Sequence, residues 1–336
     1  MVTPESLYEE ISAEAANVLV GNERVIEELT VSLLTDGHVL LEGVPGVAKT
    51  TVAKLFAWTL GMDFQRIQMT PDLMPADITG TKIYRQTMND FETKRGPIFS
   101  NLVVVDEINR STPKTQSALL EAMQERQVTI EGETLQLPDP FMVIATMNPI
   151  DMEGTFSLPK AQRDRFQVKL TVDIPPRELE NELYARFDET PDLGPEKTQQ
   201  VISTDEIFSA QEAVESVYVD ASVREYILDI VEGTRVSTDT AHGASPRAGI
   251  HLLKASKALA AIRGRDYVIP DDPKALAQSV LAHRLVLSTD AELSDVTPEE
   301  IIEETLRTVT PPTHDDMIRS AEAVSDGGSS PEFEDE

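Results

Sequence analysis

Apolar positions alternate between two rhythms up to about residue 172 and keep to one rhythm after about residue 200. Leu7, Ile11, Ala15 and Val18 recur at helical spacing and predict a helix over 4–19. A second helix is predicted after Gly21, carrying Val25, Leu29 and Leu33. The apolar run 38–41 then predicts a buried strand, closed by Glu42-Gly43. Helical spacing resumes with Val52, Leu55, Phe56 and Leu60. Leu102 to Val105, Phe141 to Ala145 and Val168 to Val172 predict three more strands. Thr112 is placed to cap a helix with Pro113 at its first position, burying Ala118, Leu119, Ala122 and Met123. Hairpins are predicted over 82–94, with Asn89-Asp90 at the tip, and over 127–136, turning at Glu131-Gly132. The rest of 62–97 has no clean period, and TPDLMPADITG carries two prolines.

Strands alternating with helices predict an α/β fold, a parallel sheet flanked on both faces by helices. The periods at 205–217, 221–232, 246–263 and 271–287 are all helical, so a small all-helical second domain is expected. The expected divisions are an α/β domain over 1–174, a linker over 175–204 that includes DIPPRELENE, and a helical domain over 205–320. An acidic, Gly/Ser-rich tail over 321–336 is expected to be disordered.

Composition narrows the function classes. Asp and Glu number 59 against 29 Lys and Arg, a formal charge of −30. Such a surface repels a nucleic-acid backbone, so nucleic acid is a disfavoured partner. The carboxylates are spread along the whole chain, which suits a salt-rich cytosol where screening removes self-repulsion and predicts a halophilic source. Cysteine is absent, which excludes disulfides and thiolate metal sites. No apolar run reaches membrane-spanning length and the N-terminus lacks the pattern of a signal peptide, so a cytoplasmic location is expected. The five histidines show no metal-ligand spacing and G-x-S-x-G is missing, which leaves Mg²⁺ as the one metal expected.

The candidate chemistry starts at GVPGVAKT, residues 43–50. The phosphate-loop pattern G-x-x-x-x-G-K-S/T is met at Gly43, Lys49 and Thr50, but Ala48 stands where glycine is usual. The context is the one the mechanism needs. An apolar strand leads in and a helix leads out, so backbone N–H groups and the helix dipole favour phosphate there. Gly43, Pro45, Gly46, Val47, Ala48, Lys49, Thr50 and Thr51 are the candidate nucleotide contacts. Lys49 is expected to reach the β- and γ-phosphates of ATP, and the Thr50 hydroxyl to hold Mg²⁺. LVVVDEIN places Asp106 and Glu107 at the carboxyl end of a buried strand, the edge where open α/β sheets bind ligands. Asp106 is the candidate metal carboxylate and Glu107 the candidate base for water. Asn148, ending the third apolar strand, is placed to orient that water, though Asn-Pro equally reads as a turn.

Taken together, LLEGVPGVAKT, VVVDEINRSTPKTQSALLEAMQE, ATMNP and GASPR resemble the MoxR family of AAA+ ATPases, over about residues 16–290. The alanine in the loop is itself typical of that family. The resemblance implies an AAA+ core with a helical lid, and Asn148 as sensor 1. It further implies Arg247 as sensor 2, Arg165 as an arginine finger supplied to a neighbouring subunit, and Val20-Gly21 near the adenine. Arg163 stands close by as a rival finger, and Arg247 by itself reads more readily as a surface or lid-packing residue. Met147 and Asn22 stand where glutamine is common in the family, and Lys160 where glutamate is. A finger in trans implies a homo-oligomer, usually a hexameric ring. The family also implies chaperone-like remodelling, assembly or metal loading of a protein client, with a von Willebrand factor A domain partner, and an insertion over 62–97. A DNA-directed motor and a nucleotide-gated switch with little turnover are the rival readings.

Overall fold

A computed structural model describes residues 2–86, 89–148, 156 and 158–313. The chain divides into two compact units, Met1–Val214 and Glu215–Glu336. The first is built on five parallel strands: β1 (Val39–Glu42), β2 (Phe64–Gln68), β3 (Leu102–Asp106), β4 (Met142–Met147) and β5 (Val168–Thr171). Their order across the sheet is β2-β3-β4-β1-β5. The pairings Leu102↔Met142 and Val39↔Ile144 set the central register. β3 is buried along its whole length, as is β4 up to Thr146, because helices cover both faces of the sheet. That is why these strands read as unbroken apolar runs.

β2 is an element that the hydrophobic pattern does not reveal. It is an edge strand, FQRIQ, in which only Ile67 is buried. The helix over Pro4–Ala16 is shorter than its pattern, and the helix Glu23–Leu33 lies as expected. In the helix Pro113–Glu125, Thr112 caps the N–H of Thr115 as expected, but Ala118 is half-buried and Leu120 takes the core position beside Leu119. Both hairpins are present, Gly80–Arg85 with Asp90–Arg95 and Gln127–Ile130 with Glu133–Gln136, but Asp90 pairs with Arg85 in the ladder and is not at the tip. Glu131 and Gly132 both adopt positive φ, as a two-residue turn between twisted strands requires. The stretch 175–204 is more than a linker. It contains the helix Arg177–Glu189, in which no residue is buried, and its later part returns to the core, where Val201 N–H donates to Thr59 O at 2.9 Å.

His38 ties three of these elements together. Val143 N–H donates to its Nδ1 at 3.1 Å, so Nδ1 carries no proton and Nε2–H donates to Met123 O at 3.1 Å. Burial lowers its pKa to about 4, with the Met123 hydrogen bond working in the opposite direction. The unfolded imidazole titrates near 6.5, so between the two values the unfolded chain binds the extra proton. Stability from His38 is therefore complete above about pH 6.5 and lost as pH falls toward 4, by about 3 kcal/mol. In urea titrations from pH 7.5 to 4.5, His38→Gln is expected to be the less stable protein at pH 7.5, with the gap to wild type narrowing on acidification. Parallel curves would contradict this role.

The second unit holds the helices Ala221–Val236, Pro246–Ile262, Asp271–Leu281, Thr289–Leu293 and Pro298–Thr308. The helix predicted over 271–287 stops at Leu281 and continues as a tight turn, Ala282–Arg284. The helix Thr204–Ser216 belongs mostly to the first unit, which moves the division to about ten residues beyond the expected position. The unit is not wholly helical, because Thr240–His242 pairs antiparallel with Val286–Leu287. Alanine lets its central helix pack closely, with Ala255, Ala258 and Ala260 fully buried. The expected tail over 321–336 lies outside the described residues. Among the described residues no helix is long and apolar enough to cross a membrane.

Candidate active site

All five parallel strands end at one edge of the sheet, and the candidate residues collect there. β1 runs into the loop 43–48, and the helix Lys49–Thr59 follows directly. Two loop positions demand glycine for different reasons. A Cβ on Gly43 would meet the carbonyl oxygen of Val172 at 2.3 Å, and Gly46 has φ +91°. Ala48 also sits in the left-handed region, φ 64°, so the position that departs from the strict pattern is one where an L-residue costs about 1 kcal/mol. The first N–H groups of the following helix lack intrahelical partners, which leaves them to an anion.

Lys49 curls over this loop, donating to Gly43 O and, at 2.9 Å, to Val44 O. Burial lowers the pKa of its ammonium, and the carboxylates of Glu107, Asp106 and Glu42 act to raise it. Thr50 Oγ1 donates to Asp106 Oδ1 at 2.8 Å. The hydroxyl of Thr146, at the end of β4, donates to the same oxygen at 3.3 Å and accepts the N–H of Glu107 at 3.0 Å. Asp106 is buried. Glu107 adopts φ 54°, ψ 55°, an uncommon backbone conformation for glutamate that turns the chain sharply after β3. Its Oε2 accepts Gln68 Nε2 and Arg110 Nη1, each at 3.0 Å. Asn148 Oδ1 is buried with no hydrogen-bond partner among the described residues, and Asn109 Nδ2 donates to the Asn148 carbonyl at 3.5 Å.

These groups line one cavity of about 580 Å³, a size typical of small-ligand sites. Of the predicted residues, Pro45, Gly46, Ala48, Lys49, Thr50, Thr51, Asp106, Glu107 and Asn148 line it. Gly43 and Val47 form the loop behind it. Val20 and Gly21 lie in the turn before the helix Glu23–Leu33, where Leu179 packs against Gly21, and do not line the cavity. Arg165 is half-buried just past the short helix Lys160–Arg163 and makes no side-chain hydrogen bond or ion pair among the described residues. The Nε of its rival Arg163 is buried with no hydrogen-bond partner among the described residues. Lys160 has its pKa lowered, first by burial. Arg247 lies in the first turn of the helix Pro246–Ile262 in the second unit and is exposed, with Ser245 as the cap. Pattern reading missed Arg66, Gln68 and Thr146, all of which line the cavity. For Thr146 the signal was there, a hydroxyl ending an apolar strand.

The donor set suits the expected ligands. Thr50 and Asp106 offer hard oxygens 2.8 Å apart, the donor type magnesium takes. The glycine-lined loop, one lysine and a helix N-terminus suit a polyphosphate. Strand order, loop and acidic pair together define a P-loop ATPase of the AAA+ class. Sequence comparison agrees. Residues 38–168 match the family model described as "ATPase family associated with various cellular activities (AAA)", and residues 232–305 match an AAA lid domain. The chain is 46% identical over 308 residues to "Chaperone MoxR1" of Mycobacterium tuberculosis, covering 89% of this chain and 81% of that one. It is 30% identical over 305 residues to "Protein MoxR" of Methylorubrum extorquens, covering 83% and 88% respectively. A solved structure from Cytophaga hutchinsonii, assigned as an ATPase, superposes with a TM-score of 0.84 at 40% identity, covering 92% of this chain and 97% of that one. The chain belongs to the MoxR family of AAA+ ATPases.

Proposed function

We propose that this ATPase is Mg²⁺-dependent, works as a ring of identical subunits, and uses hydrolysis to remodel, assemble or load metal into a partner protein. The observation that carries the reading is the meeting of Lys49, Thr50, Asp106, Glu107 and Asn148 on one cavity at the sheet edge. Lys49 orients the β- and γ-phosphates and offsets their charge. Thr50 and Asp106 would hold the cation, whose role when bound is to neutralise charge between those phosphates. Glu107 takes a proton from the attacking water. Asn148, lining the same cavity, orients that water. Arg165, with no side-chain partner among the described residues, is offered to the site of a neighbouring subunit, and Arg247 answers to the γ-phosphate from the lid. The chaperone name of the Mycobacterium relative supports a protein client. A hexamer, a von Willebrand factor A domain partner and a salt-rich cytoplasm complete the reading.

The test is ATPase rate per subunit against protein concentration, in molar KCl with Mg²⁺. Wild-type specific activity is expected to rise with concentration as rings form. Arg165→Ala is expected to lose roughly 10³-fold at every concentration, the scale of an arginine finger. A flat rate that survives the substitution would mean a site complete within one chain.

A further inference from the structure

Both carboxylates of the acidic pair are engaged by a polar chain that the mechanism above leaves unused. Arg66 Nε donates to Asp106 Oδ2 at 2.5 Å. Oδ1 is already taken by Thr50 and Thr146, so each oxygen of the metal carboxylate has a partner inside the protein. Arg66 Nη2 donates onward to Gln68 Oε1 at 3.1 Å, which fixes the orientation of that amide. The other end of the amide, Nε2, donates to Glu107 Oε2. Arg110 holds the same oxygen from the far side. One path thus runs from the metal carboxylate through Arg66 and Gln68 to the base.

Burial is unequal along that path. The side chain of Asp106 is 4% exposed and that of Arg66 46%. A desolvated carboxylate needs a cation close by, whereas a half-exposed guanidinium can leave for water at little cost. Arg66 balances the charge of Asp106 without offering the open coordination positions of a metal ion. Glu107 Oε2, meanwhile, accepts bonds from both Gln68 and Arg110.

We propose that Arg66 is the resident counter-ion of Asp106 and competes with the divalent cation for that carboxylate. With a cation on Asp106, Arg66 would give up that carboxylate and turn to water, and the Gln68 amide would lose the partner that orients it. Arg66 and Gln68 are positioning residues, Arg66 acting on Asp106 and Gln68 acting through Arg66. The proposal rests on the reading of Asp106 as the metal carboxylate.

The test is Mn²⁺ binding to the full chain in the presence of ADP, followed by electron paramagnetic resonance, alongside ADP affinity in EDTA. Asp106→Asn is expected to lose the ADP-dependent Mn²⁺ site. Arg66→Gln is expected to bind Mn²⁺ about three- to tenfold tighter than wild type, while ADP affinity in EDTA stays within about threefold. Arg66→Lys, which keeps the charge but not the guanidinium fork, is expected to fall between the two. Gln68→Leu is expected to tighten Mn²⁺ binding less than Arg66→Gln and to add nothing to it in the double variant, because the two act along one path. Unchanged or weaker Mn²⁺ affinity in Arg66→Gln, with ADP binding intact, overturns the proposal. A wild-type protein with no ADP-dependent Mn²⁺ site overturns the reading of Asp106 itself, and the proposal with it.

Discussion

Replacing Glu107 with glutamine is expected to lower kcat by about 10²–10⁴-fold while leaving ATP affinity within about threefold of wild type, the span a general base contributes. The reason is geometric. An amide of the same shape can still accept from Gln68 Nε2 and Arg110 Nη1 through its oxygen, so the bonds that place the side chain survive. It cannot accept the proton of the attacking water. The residue also sits where the chain is turned by a left-handed backbone, a conformation that a single-atom change leaves alone. Phosphate release under saturating ATP, paired with a fluorescent-nucleotide titration, measures both quantities. A near wild-type rate would place the base elsewhere.

The second large effect belongs to Lys49. Its ammonium lies among the carboxylates of Glu107, Asp106 and Glu42 and is held over the loop by two carbonyl oxygens. Deleting it removes a charge-assisted bond to phosphate and leaves those carboxylates facing the incoming nucleotide. Charge-assisted hydrogen bonds contribute about 1.5–3 kcal/mol each, so Lys49→Ala is expected to weaken ATP binding by about 10–10²-fold. Hydrolysis at sub-millimolar ATP is expected to vanish. The helix starting at residue 49 should persist, since alanine favours helix and the loop glycines are untouched. Isothermal titration calorimetry together with a thermal melt separates lost binding from lost fold. Retained micromolar affinity would show that the N–H groups of the loop hold the phosphates without the lysine.

These two effects could be placed from the sequence because their signals are local. Lys49 follows a glycine loop by a fixed spacing, and Glu107 follows four consecutive apolar residues that had to form a central strand. A strand buried on both faces has no solvent side, so β1, β3 and β4 carry their apolar character without interruption. The hairpin turn at Glu131-Gly132 and the start of the helix at Pro113 were equally local, set by φ preferences within two or three residues. The pattern failed where an element is exposed. β2 buries Ile67 alone, and the helix Arg177–Glu189 buries no residue, so neither leaves a period to read. It failed again where pairing is long-range, as in the short strands Thr240–His242 and Val286–Leu287.

By itself, then, the chain's order of residues determined the central strands, the phosphate loop, the acidic pair and the helical character of the second unit, because each depends on neighbours a few positions apart. Tertiary structure alone decided which polar groups meet at the sheet edge. Arg66 reaches Asp106 across 40 positions, and Thr146 reaches the same carboxylate across another 40, because the strand order sets β3 between β2 and β4. His38 became a neutral buried staple in the same way, its two nitrogens claimed by residues 105 and 85 positions away. Parallel strands lie side by side only after long crossovers close, so the partners of a strand-end side chain depend on sheet order, a property no short window of sequence contains.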